Sequence, residues 1–157
     1  MSKGIYVAVK YKDSAKDQIK NFIKSNKIKN PVRTDSLHTT IIYSTKYDNV
    51  VERGDMMQVP VEIFKFEVWK TQDGKSALVG KLFAPDLIKR HLELMTNHDL
   101  TYDYPEYKPH ITISYDVGDD FDVNSLNASE LGKLYTAYEY KEDLELDWAS
   151  KNAWQNN

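Results

Sequence analysis

Short apolar runs alternate with polar punctuation from the start of the chain. Residues 5–11 (IYVAVKY) are β-branched and aromatic, bounded by Gly4 and by Asp13-Ser14, which predicts a buried strand. Beyond it Ala15, Ile19, Phe22 and Ile23 recur with a helical period. Ser14 and Asp17 have capping-box spacing ahead of them, so a helix is predicted to start at Ser14. A polar stretch then runs to Pro31. Residues 36–44 (SLHTTIIYS) and 61–69 (VEIFKFEVW) read as two further strands.

The plan then recurs. A shift of 72 residues carries His38 onto His110, Thr40 onto Thr112, Ile41 onto Ile113 and Tyr43 onto Tyr115. With no gap it also lays residues 77–83 (ALVGKLF) on the first strand and Asp86 on Ser14. Leu87, Leu94 and Met95 fall on Ala15, Phe22 and Ile23, and residues 137–148 (AYEYKEDLELDW) form a last strand ending in tryptophan, like 61–69. Two such units, each too small to bury its own apolar face, predict a single α+β domain over 1–157. Its approximate repeat halves are 1–70 and 71–148, with a tail at 149–157. Each lobe is expected to be an antiparallel-rich sheet with one packed helix, the lobes meeting at a pseudo-twofold cleft. Segments 46–55 and 116–130 read as surface loops.

Composition narrows the chemistry. The absence of cysteine excludes disulfides, thiolate metal sites and cysteine nucleophiles. No run approaches the roughly 18 apolar residues of a membrane span, and the opening residues lack a signal peptide's apolar core, so a cytoplasmic protein without a membrane partner is expected. A net charge of -3 disfavours a protein that tracks long nucleic acid, yet leaves room for a small phosphorylated ligand.

The two His-x-Thr motifs fit that remaining class. Strict alternation along a strand puts His38 and Thr40 on one face, with Thr39, Ile41 and Tyr43 on the other; likewise His110, Thr112 and Ser114 oppose Ile111, Ile113 and Tyr115. Cleaving a ribonucleotide phosphodiester needs a base for the attacking hydroxyl and an acid for the departing oxygen. Imidazole, with an ordinary pKa near 6.5, serves as either near neutral pH. The threonine hydroxyls would hold the non-bridging oxygens. Neither metal nor other cofactor is called for, and His91 and His98 show no ligand spacing; His91 reads as a packing residue.

LHTTIIYS at 37–44 and KPHITISY at 108–115 resemble the paired signatures of the 2H phosphoesterase superfamily, over essentially the whole chain. YDYPEYKPHITISYDVG at 102–118 and EYKEDLELDW at 139–148 are similar, more particularly, to the phage anti-CBASS nucleases. The resemblance implies a two-lobed fold and metal-independent cleavage of 3′–5′ linkages in cyclic di- and trinucleotide alarm signals, through attack by the adjacent 2′-hydroxyl. It implies His38 and His110 as the acid/base pair and Thr40 and Thr112 as phosphate-binding hydroxyls. Tyr6, Glu142 and Trp148 are implied as substrate-binding residues. Trp69, the approximate counterpart of Trp148, joins them as a candidate. Glu142 breaks the apolar phase of Tyr138, Tyr140, Leu144 and Leu146, and a carboxylate on such a face needs a partner. Two alternatives stay open: a 2H enzyme acting on RNA ends, and a protein that sequesters cyclic nucleotides without cleaving them.

Overall fold

The computed structural model describes residues 3–102 and 106–145. In chain order it contains β1 (Lys3–Tyr11), α1 (Asp13–Ser25), β2 (His38–Ser44), β3 (Pro60–Lys70), β4 (Ser76–Phe83), α2 (Pro85–Asn97), β5 (His110–Ser114) and β6 (Lys133–Glu145). The expected α+β class and the doubled β-α-β-β order are both present. Every strand pairing is antiparallel, in the order β2-β1-β6-β3-β4-β5. Exchanging β1 with β4, β2 with β5 and β3 with β6 reproduces that order in reverse, so the hydrogen-bonded topology is itself twofold.

The lobes differ from the chain halves in one respect. β6 pairs along the whole of β1, and β3 pairs with β4, so each repeat contributes its last strand to the other repeat's first. This covers the edge that a β1–β2 pair alone would leave open. Residues 133–135 of β6 also pair with β3, which joins everything into one six-stranded sheet.

One face of the sheet packs on the helices. Ile5, Val7, Val9 and Tyr11 of β1 share a single buried cluster with Ala15, Ile19 and Phe22 of α1 and Leu87 and Leu94 of α2. Burying each large side chain there contributes about 1.5–3 kcal/mol. Phe22 stacks on Phe66 of β3, with centroids 5.2 Å apart. At Gly80 a Cβ would meet Ile63 Cδ1 at 2.7 Å, so the missing side chain is what lets Ile63 fill this face.

Both helices start earlier than expected. Their N-caps are Lys12 and Ala84, not Ser14 and Asp86, and neither makes a side-chain cap bond. Pro85 opens α2, where its missing N–H costs nothing, and the extended Lys12 offers its carbonyl to Lys16 N at 3.0 Å. Among the described residues no helix is long and apolar enough to cross a membrane.

Candidate active site

A β-bulge at the same place in each repeat shapes the site. Val7 lies opposite Ile42 but Ala8 opposite Thr40, which leaves Ile41 as an extra residue in β2; in β5, Ile113 is extra between Thr112 and Ser114. An extra residue reverses the alternation beyond it. Tyr43 therefore joins the face of His38 and Thr40, packing with Tyr6, Ala8 and Leu144, in place of the face strict alternation assigns it. Ser114 moves the other way, opposite core residue Leu78, and its hydroxyl donates to Lys29 O at 2.5 Å.

The bulges leave carbonyls that the sheet ladder does not serve. Tyr107 OH donates to Thr40 O and His91 Nδ1 donates to Ile41 O, each at 2.7 Å, and these two rings stack with centroids 4.2 Å apart. Burial holds the His91 pKa below its ordinary value, which keeps that ring a neutral donor. His91 is thus more than the packing residue expected from sequence. In β5, Val32 N–H donates to Ile113 O at 2.8 Å.

Residues directly opposite in antiparallel strands share a face. The face away from the helices is therefore fixed by register. On one side it carries His38, Lys10 and Tyr138 in a row, then Thr40, Ala8 and Tyr140, then Tyr43, Tyr6 and Glu142. On the other it carries His110, Lys81 and Lys65, then Thr112, Val79 and Glu67, then Ala77 and Trp69. β2 and β5 stand at opposite ends of the sheet order yet contact one another, and the charge of His38 reaches His110. The curl of the sheet thus brings the two His-x-Thr strands together.

The histidines are held alike. His38 Nδ1 bonds Ser36 O at 2.9 Å and His110 Nδ1 bonds Lys108 O at 2.8 Å. A carbonyl only accepts, so Nδ1 carries a proton in both rings and Nε2 remains as the proton-transfer atom. Burial, together with the positive charge of His38, holds the His110 pKa below its ordinary value against the opposing pull of Lys108 O. The Trp69 ring lies 4.7 Å from the His110 ring, and its Nε1–H donates to Glu67 Oε1 at 2.8 Å. Tyr6 OH is 2.9 Å from Thr40 Oγ1. Burial keeps that phenol protonated, so it can donate to Thr40 and leave the threonine hydrogen for another acceptor.

The sequence candidates His38, Thr40, His110, Thr112, Tyr6, Glu142 and Trp69 all lie on this one face. Glu142 is exposed there, directly opposite Tyr6, with no slip of strand phase between Tyr138 and Leu144. Trp148 lies outside the described residues. The positional counterpart of Trp69 is Glu142 and not Trp148, because each sits two pairs along from the lysine row. Among the described residues, no three His, Asp or Glu side chains are grouped to hold a metal ion.

The family model of anti-CBASS protein Acb1 matches residues 3–151. The chain belongs to the Acb1 family. An Acb1 protein of Vibrio phage KVP40 is 36% identical over 151 residues, covering 96% of this chain and 94% of the relative. The Acb1 protein of Enterobacteria phage T4 is 36% identical over 148 residues, covering 94% and 93%. In three dimensions the chain resembles a solved phosphoesterase (TM-score 0.58, 12% identity, 88% and 86% coverage). It also resembles Escherichia coli LigT crystallised with ATP (TM-score 0.57, 14% identity, 90% and 87% coverage). The chain therefore has the expected 2H phosphoesterase fold.

Sequence reading missed Lys10, Lys81, Lys65 and Glu67 on this face. The signal for the first two was present. A shift of 71, not 72, superimposes Lys10 on Lys81, and it is the shift that the strand register requires, since these lysines lie opposite His38 and His110. The ungapped alignment hid it because Phe83 adds one residue at the end of β4 that β1 lacks.

Proposed function

We propose that this chain is a phosphodiesterase that opens 3′–5′ linkages of cyclic di- and trinucleotides and so counters CBASS signalling in a phage-infected bacterium. Membership of a family named for anti-CBASS activity supports the biological role. The observation that carries the chemistry is the pair of imidazoles on adjoining strands, each with Nδ1 tied to a carbonyl and a threonine two residues along on the same face.

His110, whose lowered pKa favours the neutral ring, takes the proton from a ribose 2′-hydroxyl at Nε2. The 2′-oxygen forms a bond to phosphorus and the bond to the 5′-oxygen breaks. His38 in its charged form gives a proton to that departing oxygen. The products are a 2′,3′-cyclic phosphate and a 5′-hydroxyl. Thr40 and Thr112 donate to the non-bridging oxygens as charge develops there. Tyr6 positions Thr40. Trp69 stacks a base, and Glu142 accepts from base amino or imino hydrogens.

The experiment is a pH profile of kcat/KM in excess EDTA, run on a cyclic dinucleotide and on RNA ending in a 2′,3′-cyclic phosphate. The cyclic dinucleotide is expected to give a bell. Because activity needs neutral His110 and its pKa lies below the ordinary value, the acid limb falls below pH 6.5, the ordinary imidazole pKa. Preferential turnover of the RNA end, or loss of turnover in EDTA, would overturn the proposal. Tight binding without product would favour sequestration.

A further inference from the structure

Lys10 is the residue directly opposite His38, and Lys81 is directly opposite His110; the twofold exchange of strands relates the two pairs. Opposite Cβ atoms lie about 4.5–5.5 Å apart on one face of a sheet. Each lysine is thus the cross-strand neighbour of its histidine, with a stem long enough to reach a ligand held by that ring.

The contacts of these ammoniums are ones that an anion can displace or share. Lys10 Nζ donates to Asp35 O at 3.3 Å and lies 5.5 Å from the centre of the Tyr140 ring. Among the described residues no carboxylate lies within ion-pair distance of Lys10. Lys81 Nζ is 3.7 Å from Glu67 Oε2, which Lys65 shares at 3.5 Å, and 5.8 Å from the Phe64 ring centre. The register-defined face holds Lys10, Lys65, Lys81 and Lys133 against Glu62, Glu67 and Glu142. It is thus locally cationic in a chain whose net charge is -3. Threonine hydroxyls supply hydrogen bonds but no charge, whereas a phosphodiester arrives with a full negative charge and gains more as the 2′-oxygen adds.

We infer that Lys10 and Lys81 are the phosphate-binding cations of the site, one on each side of the phosphorus, each presenting its ammonium to a phosphate oxygen beside the neighbouring histidine. The inference rests on the reaction proposed above for its substrate, but binding of a phosphate group tests it separately.

The test titrates inorganic phosphate into the full chain while following the His38 and His110 ring signals by NMR. It compares wild type with Lys10→Met, Lys81→Met, Lys10→Arg and Lys81→Arg, and with Lys89→Met on α2 as a control of equal charge change. Phosphate is expected to shift both rings in wild type and in Lys89→Met. Each methionine variant of the pair is expected to weaken phosphate binding by about 10–100-fold, the range for a hydrogen bond to a charged group, while the arginine variants stay within about threefold. The methionine variants should also lower kcat/KM for a cyclic dinucleotide by a similar factor and flatten its dependence on salt. Phosphate affinities equal to the Lys89→Met control would overturn the inference, as would equal losses in the methionine and arginine variants, or ring signals of wild type that phosphate does not move. If phosphate binding behaves as expected while wild type leaves cyclic dinucleotides intact, the lysine assignment stands and the substrate assignment falls.

Discussion

Alanine at His38 or His110 lowers kcat/KM for a cyclic dinucleotide by about 10²–10⁴-fold in each case, the usual worth of a positioned general acid or base. Each ring has its Nδ1 proton committed to a backbone carbonyl, at Ser36 O and Lys108 O, so alanine removes a proton-transfer atom that no neighbour duplicates in the same orientation. The double variant is expected to lose much less than the product of the two single losses. Base and acid serve one displacement, and once either is gone the other has little left to do. Both imidazoles open their strands, at the ends of β2 and β5, so the substitutions leave the buried cluster intact and the melting temperature close to wild type. Kinetics with a denaturation curve for each variant checks this. Unchanged turnover in both single variants would refute the assignment.

The second large effect is on stability. Arg90 of α2 makes a bidentate pair with Glu139 of β6, Nε to Oε1 at 2.9 Å and Nη2 to Oε2 at 3.0 Å, with side chains 7% and 0% exposed. The same groups hold the connection between β2 and β3. Arg90 Nη2 donates to Val51 O at 3.2 Å, and Glu139 Oε2 accepts from Arg53 N–H at 2.8 Å. Glu139 N–H also donates to Gly54 O at 2.8 Å, so helix, strand and loop meet at one carboxylate. Arg90→Met strands the buried Glu139 carboxylate and is expected to destabilise the fold by about 3–5 kcal/mol; Glu139→Leu is expected to cost less, because Arg90 Nη1 keeps Glu93 Oε2 at 3.5 Å. The double variant Arg90→Met/Glu139→Leu strands neither and should cost much less than the sum. Urea denaturation of the three variants measures both. Single losses under about 1 kcal/mol would contradict a structural role for the pair.

Periodicity and the repeat made the strands, both helices and the two His-x-Thr motifs legible, because each is a local pattern that tertiary contacts only reinforce. What stayed hidden depends on pairing. The bulges at Ile41 and Ile113 carry no composition signal, yet they decide that Tyr43 faces the site and that Ser114 faces away. The lysines opposite the histidines became visible only through strand register, since Phe83 displaces them by one residue in an ungapped alignment. Arg90 and Glu139 read as ordinary charged positions on a helix and a strand; only the fold buries them together. The helix starts were misplaced for a related reason, as Ser14 and Asp86 look like caps by residue type, while the backbone turns at Lys12 and Ala84. The acidic balance of the whole chain likewise concealed a site face with a local excess of lysine.

In the proposed reaction the two histidines drive attack by a ribose 2′-hydroxyl on a cyclic oligonucleotide. This step is tested most directly by incubating wild type, in excess EDTA, with a 3′,5′-linked cyclic dinucleotide and its doubly 2′-deoxy counterpart, and resolving the products by chromatography and mass spectrometry. The ribose compound is expected to give first a linear isomer of unchanged mass, ending in a 2′,3′-cyclic phosphate, and the deoxy compound to stay intact. Cleavage of both compounds at similar rates, or a first product that already contains added water, would contradict it.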